Sequence, residues 1–403
     1  MRKSLFILLA AALTACNAAK APLSQRVVLS EMARCPEAGY IDGLEGKLKW
    51  NYTTGLELKA FLDVYEMAGQ AGHDIGDRHS RLDRESILSY VDSWYDAIID
   101  STGTIYKYKK GNYSQDHICP GRTLFQLYDL TGKEKYRVAM DTLYSQLQSQ
   151  PRTPEGGFWH KQIYPQQMWL DGLYMAEPFY AEYTARFVTD SLSQDKNYGD
   201  IVLQFTTVYN NTYDAATGLL RHAWDSSHEM FWCNPETGQS DHAWGRALGW
   251  YAMALVDVIE IMPDGPYKDC LIGILNNVYQ VLPLYADRET GMWFQVLDQP
   301  YREGNYLEAT CSAMFTYAWL KGCRLGVLGN LEGAKQSYQS LLNTFVTEEE
   351  GLVNLNQCCE VAGLGGKDNR RGDYEYYINE RVRANDPKGI GPLIWAALEF
   401  ERL

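Results

Sequence analysis

Apolar positions recur along this chain at a spacing near 3.6 residues, the mark of helices that bury one face. The run Ile87, Tyr90, Val91, Trp94, Ala97 and Ile98 shows the pattern. It predicts twelve helices, near 24–36, 53–68, 82–100, 116–130, 133–149, 168–190, 195–213, 243–262, 265–284, 306–325, 331–348 and 388–401. No long alternating stretch competes as a sheet. The expected class is all-α.

The connections between these helices carry more information than the helices do. Those after even-numbered helices are short, at 131–132, 191–194, 263–264 and 326–330, with 69–81 the exception. Those after odd-numbered helices are long: 37–52, 101–115, 150–167, 214–242, 285–305 and 349–387. Each long connection holds a glycine followed by a hydrophobic or aromatic cluster, starting at Gly46, Gly103, Gly157, Gly218, Gly291 and Gly351. Successive glycines lie 57, 54, 61, 73 and 60 residues apart, which marks a repeated supersecondary unit. Six α-hairpins with every long loop at one end predict a closed (α/α)6 barrel. The alternative is an open solenoid, whose helical repeats usually run to about 34–47 residues. Function concentrates on loops carried by a rigid scaffold, so the long-loop end is where chemistry is expected.

Composition and the first residues narrow the class. Arg2 and Lys3 precede an apolar run from Leu5 to Leu13, a signal-peptide pattern too short to span a bilayer. Leu13-Thr14-Ala15-Cys16 resembles a bacterial lipobox, in which cleavage leaves Cys16 as the lipid-bearing terminus. An ordinary signal peptide with a chance cysteine is the alternative. Residues 1–15 are therefore expected to be a leader, and residues 16–403 a single domain with no Pro/Ser linker. The expected location is the periplasm or cell envelope, with the membrane reached only through the acyl anchor. Losing Arg2 and Lys3 takes the formal net charge from −14 to −16, which disfavours nucleic acid as a partner. Eight cysteines remain (35, 119, 233, 270, 311, 323, 358 and 359), none in a CxxC pair. They are expected to be mostly buried thiols rather than a zinc site. His228-Glu229 lacks the second histidine of a zinc hydrolase, because position 232 is Trp. No glycine fingerprint for a nucleotide appears, and no metal or cofactor is expected.

Chemistry-bearing residues fall at the starts of even-numbered helices. Tyr52 precedes the helix at 53, Asp116 starts the helix at 116, and Asp171 lies in the first turn of the helix at 168. Arg246 and Trp250 lie in the first turns of the helix at 243, and Glu308 at the start of the helix at 306. His160 and His222 come from the loops feeding those helices. All would surround one mouth, where converging helix N-termini favour an anion. Trp50, Trp159, Trp169, Trp244 and Trp250 offer apolar faces to sugar rings. Each residue also has a purely structural reading. Acids in a first turn answer the helix dipole, Trp250 can be core, and the two histidines can be satisfied loop residues.

Several longer motifs resemble the unsaturated rhamnogalacturonyl hydrolases, glycoside hydrolase family 105. They are Gln167-Met-Trp-Leu-Asp171-Gly-Leu-Tyr-Met-Ala-Glu-Pro-Phe179, Arg221-His222-Ala-Trp-Asp225 and Trp244-Gly-Arg246-Ala-Leu-Gly-Trp250. Gly304-Asn-Tyr-Leu-Glu308, Val361-Ala-Gly-Leu-Gly365 and Tyr374-Glu-Tyr-Tyr377 extend the likeness over residues 40 to 400. The resemblance implies an (α/α)6 barrel that removes a terminal 4,5-unsaturated uronic acid, such as the unsaturated galacturonyl unit of rhamnogalacturonan fragments, by hydrating its C4=C5 enol ether. It implies Asp171 as the proton donor. Substrate contacts would map to Asn51, Tyr52, Asp116, His160, Lys161, Tyr164, His222, Arg246, Trp250 and Gly365. Two departures stand out: the Gly-Asp-Arg-His run at 76–79, and Glu177 where a smaller residue is expected. Two other readings remain. One is a non-catalytic glycan-binding lipoprotein; the other is a different (α/α)6 enzyme, an epimerase or an inverting glycosidase using Asp116 and Asp171 as a pair.

Overall fold

A computed structural model describes residues 21–69 and 83–403. The leader, Cys16 and the run at 76–79 lie outside the described residues. The helices are α1 (Leu23–Arg34), α2 (Tyr52–Ala68), α3 (Arg84–Ile98), α4 (Gly121–Thr131), α5 (Glu134–Leu147), α6 (Leu170–Phe187) and α7 (Ser191–Thr212). They continue as α8 (Gly245–Ile261), α9 (Pro266–Val281), α10 (Ala309–Arg324), α11 (Leu331–Phe345), α12 (Tyr374–Asn379) and α13 (Pro387–Glu401).

Two rings form. Helices α2, α4, α6, α8, α10 and α13 pack side by side, and α13 returns to pack on α2, which closes the circle. That closure excludes the open solenoid and establishes the barrel. Outer helices α1, α3, α5, α7, α9 and α11 lie against the inner ones. The sequence dictates this sorting. In α8 every residue from Gly245 to Ile259 is buried, Arg246 and Asp257 included, as expected for a helix that is apolar almost all round. Outer α11 buries only Ala334, Ser337, Tyr338, Leu341 and Phe345, the one stripe that a 3.6-residue period provides. Inner helices also approach closely. A Cβ on Gly55 of α2 would sit 2.6 Å from the Pro120 backbone, so only glycine fits that crossing.

Three differences from the expected elements matter. Helix α4 starts at Gly121 rather than 116, and Asp116 lies on a separate 3-10 turn, Gln115–His117. Pro120 is the reason: it has no N–H to donate, and its ring clashes with the carbonyl four residues back. Helix α10 starts at Ala309, which makes Glu308 its cap, with the carboxylate accepting from the Cys311 N–H. The stretch 349–387 is not a plain loop, because it holds short strands and α12.

The small strands all sit at the long-loop end, as three two-stranded antiparallel ribbons. They are β1 (Gln167–Trp169) with β2 (Ala223–Asp225), β3 (Val346–Glu349) with β4 (Leu352–Leu355), and β5 (Cys358–Cys359) with β6 (Val382–Arg383). Among the described cysteines, Cys119, Cys311, Cys358 and Cys359 are buried, and Cys35, Cys233 and Cys323 are partly so. Cys270 departs from the expectation: it is exposed on outer helix α9. No described helix is long and apolar enough to cross a membrane.

Candidate active site

The β1–β2 ribbon builds the centre of the mouth. Trp169 pairs with Ala223 and Met168 with Trp224, so residue 222 is carried to the start of α6. The Leu170 N–H donates to the His222 carbonyl at 3.1 Å. Asp171 is the next residue, in the first turn of α6. Its Oδ2 lies 3.3 Å from His222 Nε2, though the two are not aligned as a hydrogen bond. The Asp171 side chain keeps 14% of its surface exposed. On the far side of the ring, His222 Nδ1 is 2.7 Å from the Tyr377 hydroxyl. Trp169 and Trp244 occupy the N-cap positions of α6 and α8 without a side-chain cap, because an indole carries only an N–H donor and has no acceptor to offer a helix N–H. First-turn N–H groups of two neighbouring inner helices thus lie at the mouth without a capping side chain.

Beside Asp171 stands His160, held by backbone bonds on both sides. Its N–H donates to the Gln167 carbonyl at 2.9 Å, and its carbonyl accepts from the Gln115 N–H at 3.1 Å. The ring stacks on Trp169 at 4.5 Å and 8°, and Tyr164 also stacks on Trp169, at 5.0 Å. Burial pushes the His160 ring down to about 4, against the pull of Asp116. Its Nε2 is 3.6 Å from Asp116 Oδ1, and Lys161 donates to Asp116 Oδ2. Burial alone would raise Asp116, but Lys161 and then His160 outweigh it and hold the carboxyl below its ordinary value. Asp116 is therefore a paired carboxylate.

Tyr52 joins this group from α2. Burial raises its phenol well above the ordinary value, with Asp116, Arg246, Asp386 and Asp171 all acting on it. That set of neighbours places Tyr52, Asp116, Asp171 and Arg246 around one space. Arg246 itself has no exposed surface. Its Nη2 donates to the Cys359 carbonyl at 2.5 Å and its guanidinium lies 5.0 Å over Trp244, while Nε and Nη1 have no protein partner among the described residues. Trp250 is fully buried too, 4.9 Å from Tyr174 and 6.3 Å from Tyr52; Trp244 is likewise fully buried, and Trp50 is buried. Trp244 and Trp250 are wall rather than open sugar platforms, whereas Trp50 also lines the cavity beside Asp116. Asn51 is the N-cap of α2: Oδ1 accepts from the Thr54 N–H and Nδ2 donates to Thr53. Both ends of its amide are spent within the fold.

The rim comes from the later loops. Gly365 forms a tight turn, its N–H donating to the Arg370 carbonyl at 2.8 Å, and packs near Met230 and Trp232. Arg370 Nη2 donates to the Tyr164 hydroxyl at 3.2 Å, which ties this loop to the aromatic stack. A cavity of about 350 Å³ is lined by Asn51, Tyr52, Asp116, Val361 and Lys388 among others. A larger cavity, about 550 Å³, opens elsewhere and contains none of the predicted site residues. Its charges pair with one another, as Lys321 and Arg122 do with Asp257 and Arg324 with Glu399. Glu177 also lies away from the mouth, next to Asp200 and Arg152; burial and then Asp200 raise its carboxyl well above the ordinary range. No cluster of three or more His, Cys, Asp or Glu able to hold a metal occurs among the described residues.

Gln115, Gly172, Tyr377 and Arg370 belong to this site and had no role assigned from sequence. Gly172 was legible only as the neighbour of Asp171. A Cβ there would sit 2.0 Å from Gln115 Oε1 and 3.1 Å from His160 Nδ1. In an ordinary helix Gly→Ala gains up to about 1 kcal/mol. Here Gly172→Ala is expected to lower turnover about tenfold without raising the melting temperature, because Gln115 and His160 must move; about tenfold is ~1.4 kcal/mol of barrier. Kinetics and calorimetry on that variant check it, and a more stable, fully active Gly172→Ala protein would contradict it.

Comparison with known proteins agrees with this geometry. Residues 23–403 match the model of Glycosyl Hydrolase Family 88. A solved family 105 glycoside hydrolase from C. acetobutylicum ATCC 824 is 43% identical, with a TM-score of 0.85, covering 94% of this chain and 99% of that one. Protein Atu3128 of Agrobacterium fabrum is 38% identical over 236 residues, which is 56% of this chain and 97% of that protein. A solved unsaturated glucuronyl hydrolase specific for heparin shares the fold at a TM-score of 0.65 with 11% identity. The chain belongs to the family 88/105 glycoside hydrolases.

Proposed function

We propose that this enzyme removes a terminal 4,5-unsaturated uronic acid, an unsaturated galacturonyl unit above all, from oligosaccharides left by a polysaccharide lyase. The observation that carries the reading is a single uncommitted carboxyl at the mouth. Asp171 accepts no hydrogen bond among the described residues, whereas Asp116 is taken by Lys161. An inverting glycosidase needs two free carboxyls in divided roles. Hydration of an enol ether needs one. Asp171 protonates C4, and an oxocarbenium ion forms across C5 and the ring oxygen. Water adds at C5 and returns a proton to Asp171. The resulting hemiketal opens and releases the neighbouring sugar. His160, kept neutral by burial, and the aromatic stack behind it shape the pocket without changing charge near neutral pH. The two buried, unpartnered N–H groups of Arg246 supply fixed positive charge for the substrate's carboxylate or hydroxyls.

The lipobox-like Leu13-Thr14-Ala15-Cys16 supports an exported enzyme tethered through an acyl chain on Cys16. A panel of lyase products, followed by loss of the unsaturated chromophore, tests the activity. Turnover of unsaturated galacturonyl-rhamnose is expected. Binding without turnover would favour a glycan-binding module, and cleavage of saturated glycosides would favour a two-carboxylate enzyme.

A further inference from the structure

The reaction as described makes no use of Tyr377. This side chain lies in the middle of α12, is fully buried, and stacks on Trp244 at 5.9 Å and 23°. The helix around it is fixed at both ends. Asp373 caps it through the Tyr376 N–H, and Gln295 Nε2 donates to the Tyr377 carbonyl at 3.1 Å. Among the described residues the Tyr377 hydroxyl has one hydrogen-bond partner, His222 Nδ1 at 2.7 Å. Burial keeps the phenol protonated far above its ordinary range. A buried O–H left without an acceptor is costly, so this one donates to Nδ1. Nδ1 is then the lone-pair nitrogen, and the neutral ring carries its proton on Nε2. Nε2 is the atom 3.3 Å from Asp171 Oδ2, within reach of a hydrogen bond although the two are not aligned as one in this state.

We propose that Tyr377 is a positioning residue that locks His222 in the Nε2–H tautomer, so that the ring offers a donor to the Asp171 carboxylate formed when the proton leaves. The proposal rests on Asp171 being the acid. His222 and Tyr377 keep their covalent bonds throughout: only the Asp171 O–H breaks, as C4 takes the proton, and it re-forms with a proton of the water that adds at C5, while His222 steadies the interval between. The backbone holds the ring for this task, since the His222 N–H donates to the His242 carbonyl and His242 is anchored on Asp298 at 2.8 Å. The other groups that interact with Asp171 are Tyr52 on α2, His160 and Tyr377, with Asp116 and Lys161 behind His160 and Arg246 behind Tyr52. Of these, Tyr52 and Tyr377 hold their protons, Asp116 stays a carboxylate and His160 stays neutral around pH 7.

Nitrogen-15 NMR of histidine-labelled protein reads the tautomer directly. The wild-type enzyme is expected to show His222 with a protonated Nε2 and an accepting Nδ1. Tyr377→Phe keeps the stack on Trp244 and removes only the hydroxyl. It is expected to populate the Nδ1–H form and to lower kcat about 10–100-fold, with KM within about twofold, the weight of one hydrogen bond to a charged group. The alkaline limb of kcat moves to higher pH, because the lost donor had favoured the carboxylate. A purely structural tyrosine would shift neither tautomer nor limb. His222 protonated on Nδ1 in the wild-type protein overturns the proposal, even if the variant does not fold; so does an active Tyr377→Phe enzyme with unchanged tautomer and pH limb. A wild-type protein that shows the stated tautomer yet hydrolyses no unsaturated oligosaccharide overturns the proposed function instead.

Discussion

Asp171→Asn is expected to cut kcat on an unsaturated disaccharide by at least about 10²–10⁴-fold, the usual weight of general acid–base catalysis. The amide keeps the size of the carboxyl, so substrate still fits and KM changes little. What it loses is the proton. The structure makes this a clean test, because no described hydrogen bond depends on the Asp171 carboxylate and the side chain caps nothing. Folding therefore does not rely on it, and the melting temperature should stay within a few degrees of wild type. Loss of turnover with the fold intact assigns the chemistry to this carboxyl. Near-wild-type turnover would remove Asp171 from the mechanism and, with it, the single-carboxyl reaction.

The largest effect on stability is expected at Asp257. This α8 carboxylate is 3% exposed and joins three inner helices. It accepts from Arg122 Nη2 on α4 at 2.8 Å, and from Lys321 Nζ at 2.8 Å and the Tyr317 hydroxyl at 2.6 Å on α10. Asp257→Ala strands the Arg122 guanidinium, whose Nε and Nη1 are already without a protein partner. Removing one side of a buried pair costs about 3–5 kcal/mol. A clear drop in the calorimetric midpoint checks it; an unchanged midpoint would show that the network contributes nothing. The pH dependence has a definite sign. Burial raises the Asp257 carboxyl, but Lys321 and then Arg122 carry it below the ordinary range. Its contribution is complete above the unfolded value of about 4 and is lost as pH falls toward the folded one. His160 acts in the same direction at milder pH. Its folded value of about 4 lies below the ordinary histidine value of 6.5, so the unfolded chain takes up a proton first between those limits. Wild-type stability should therefore fall on acidification from about pH 6.5, and Asp257→Ala should lose its share of the slope below about 4.

Much of this was legible in the chain. Helix α8 was readable because Gly245 to Ile261 is apolar on nearly every side, broken only by Arg246, Asp257 and Glu260, and α11 because it is apolar on one. Asp171 and Tyr52 fell within a residue or two of their positions, since an inner helix starts where a long loop ends. Other features were missed for specific reasons. Asp116 was read as a helix start although Pro120 forbids a continuous helix through it. The β1–β2 ribbon pairs three residues with three, too few to show alternation. Helix α12 has six residues, less than two turns. Trp244 and Trp250 looked like sugar platforms because a local window shows that a residue is aromatic, not which way it faces.

By itself, the order of residues determined the twelve-helix pattern, the long-loop end and the acid at the start of α6. These depend on neighbours a few positions apart along the chain, and helix periodicity is such a property. Only the tertiary structure decided which charges are spent and which are free. Lys161 is bound to Asp116 across 45 residues, and Tyr377 meets His222 across 155. Arg246 is fully buried against the Cys359 carbonyl, 113 residues on. Such contacts arise when the ring closes α13 onto α2 and stitches the loops together. Their energies depend on distance and burial in the folded molecule, and neither quantity is written in sequence spacing.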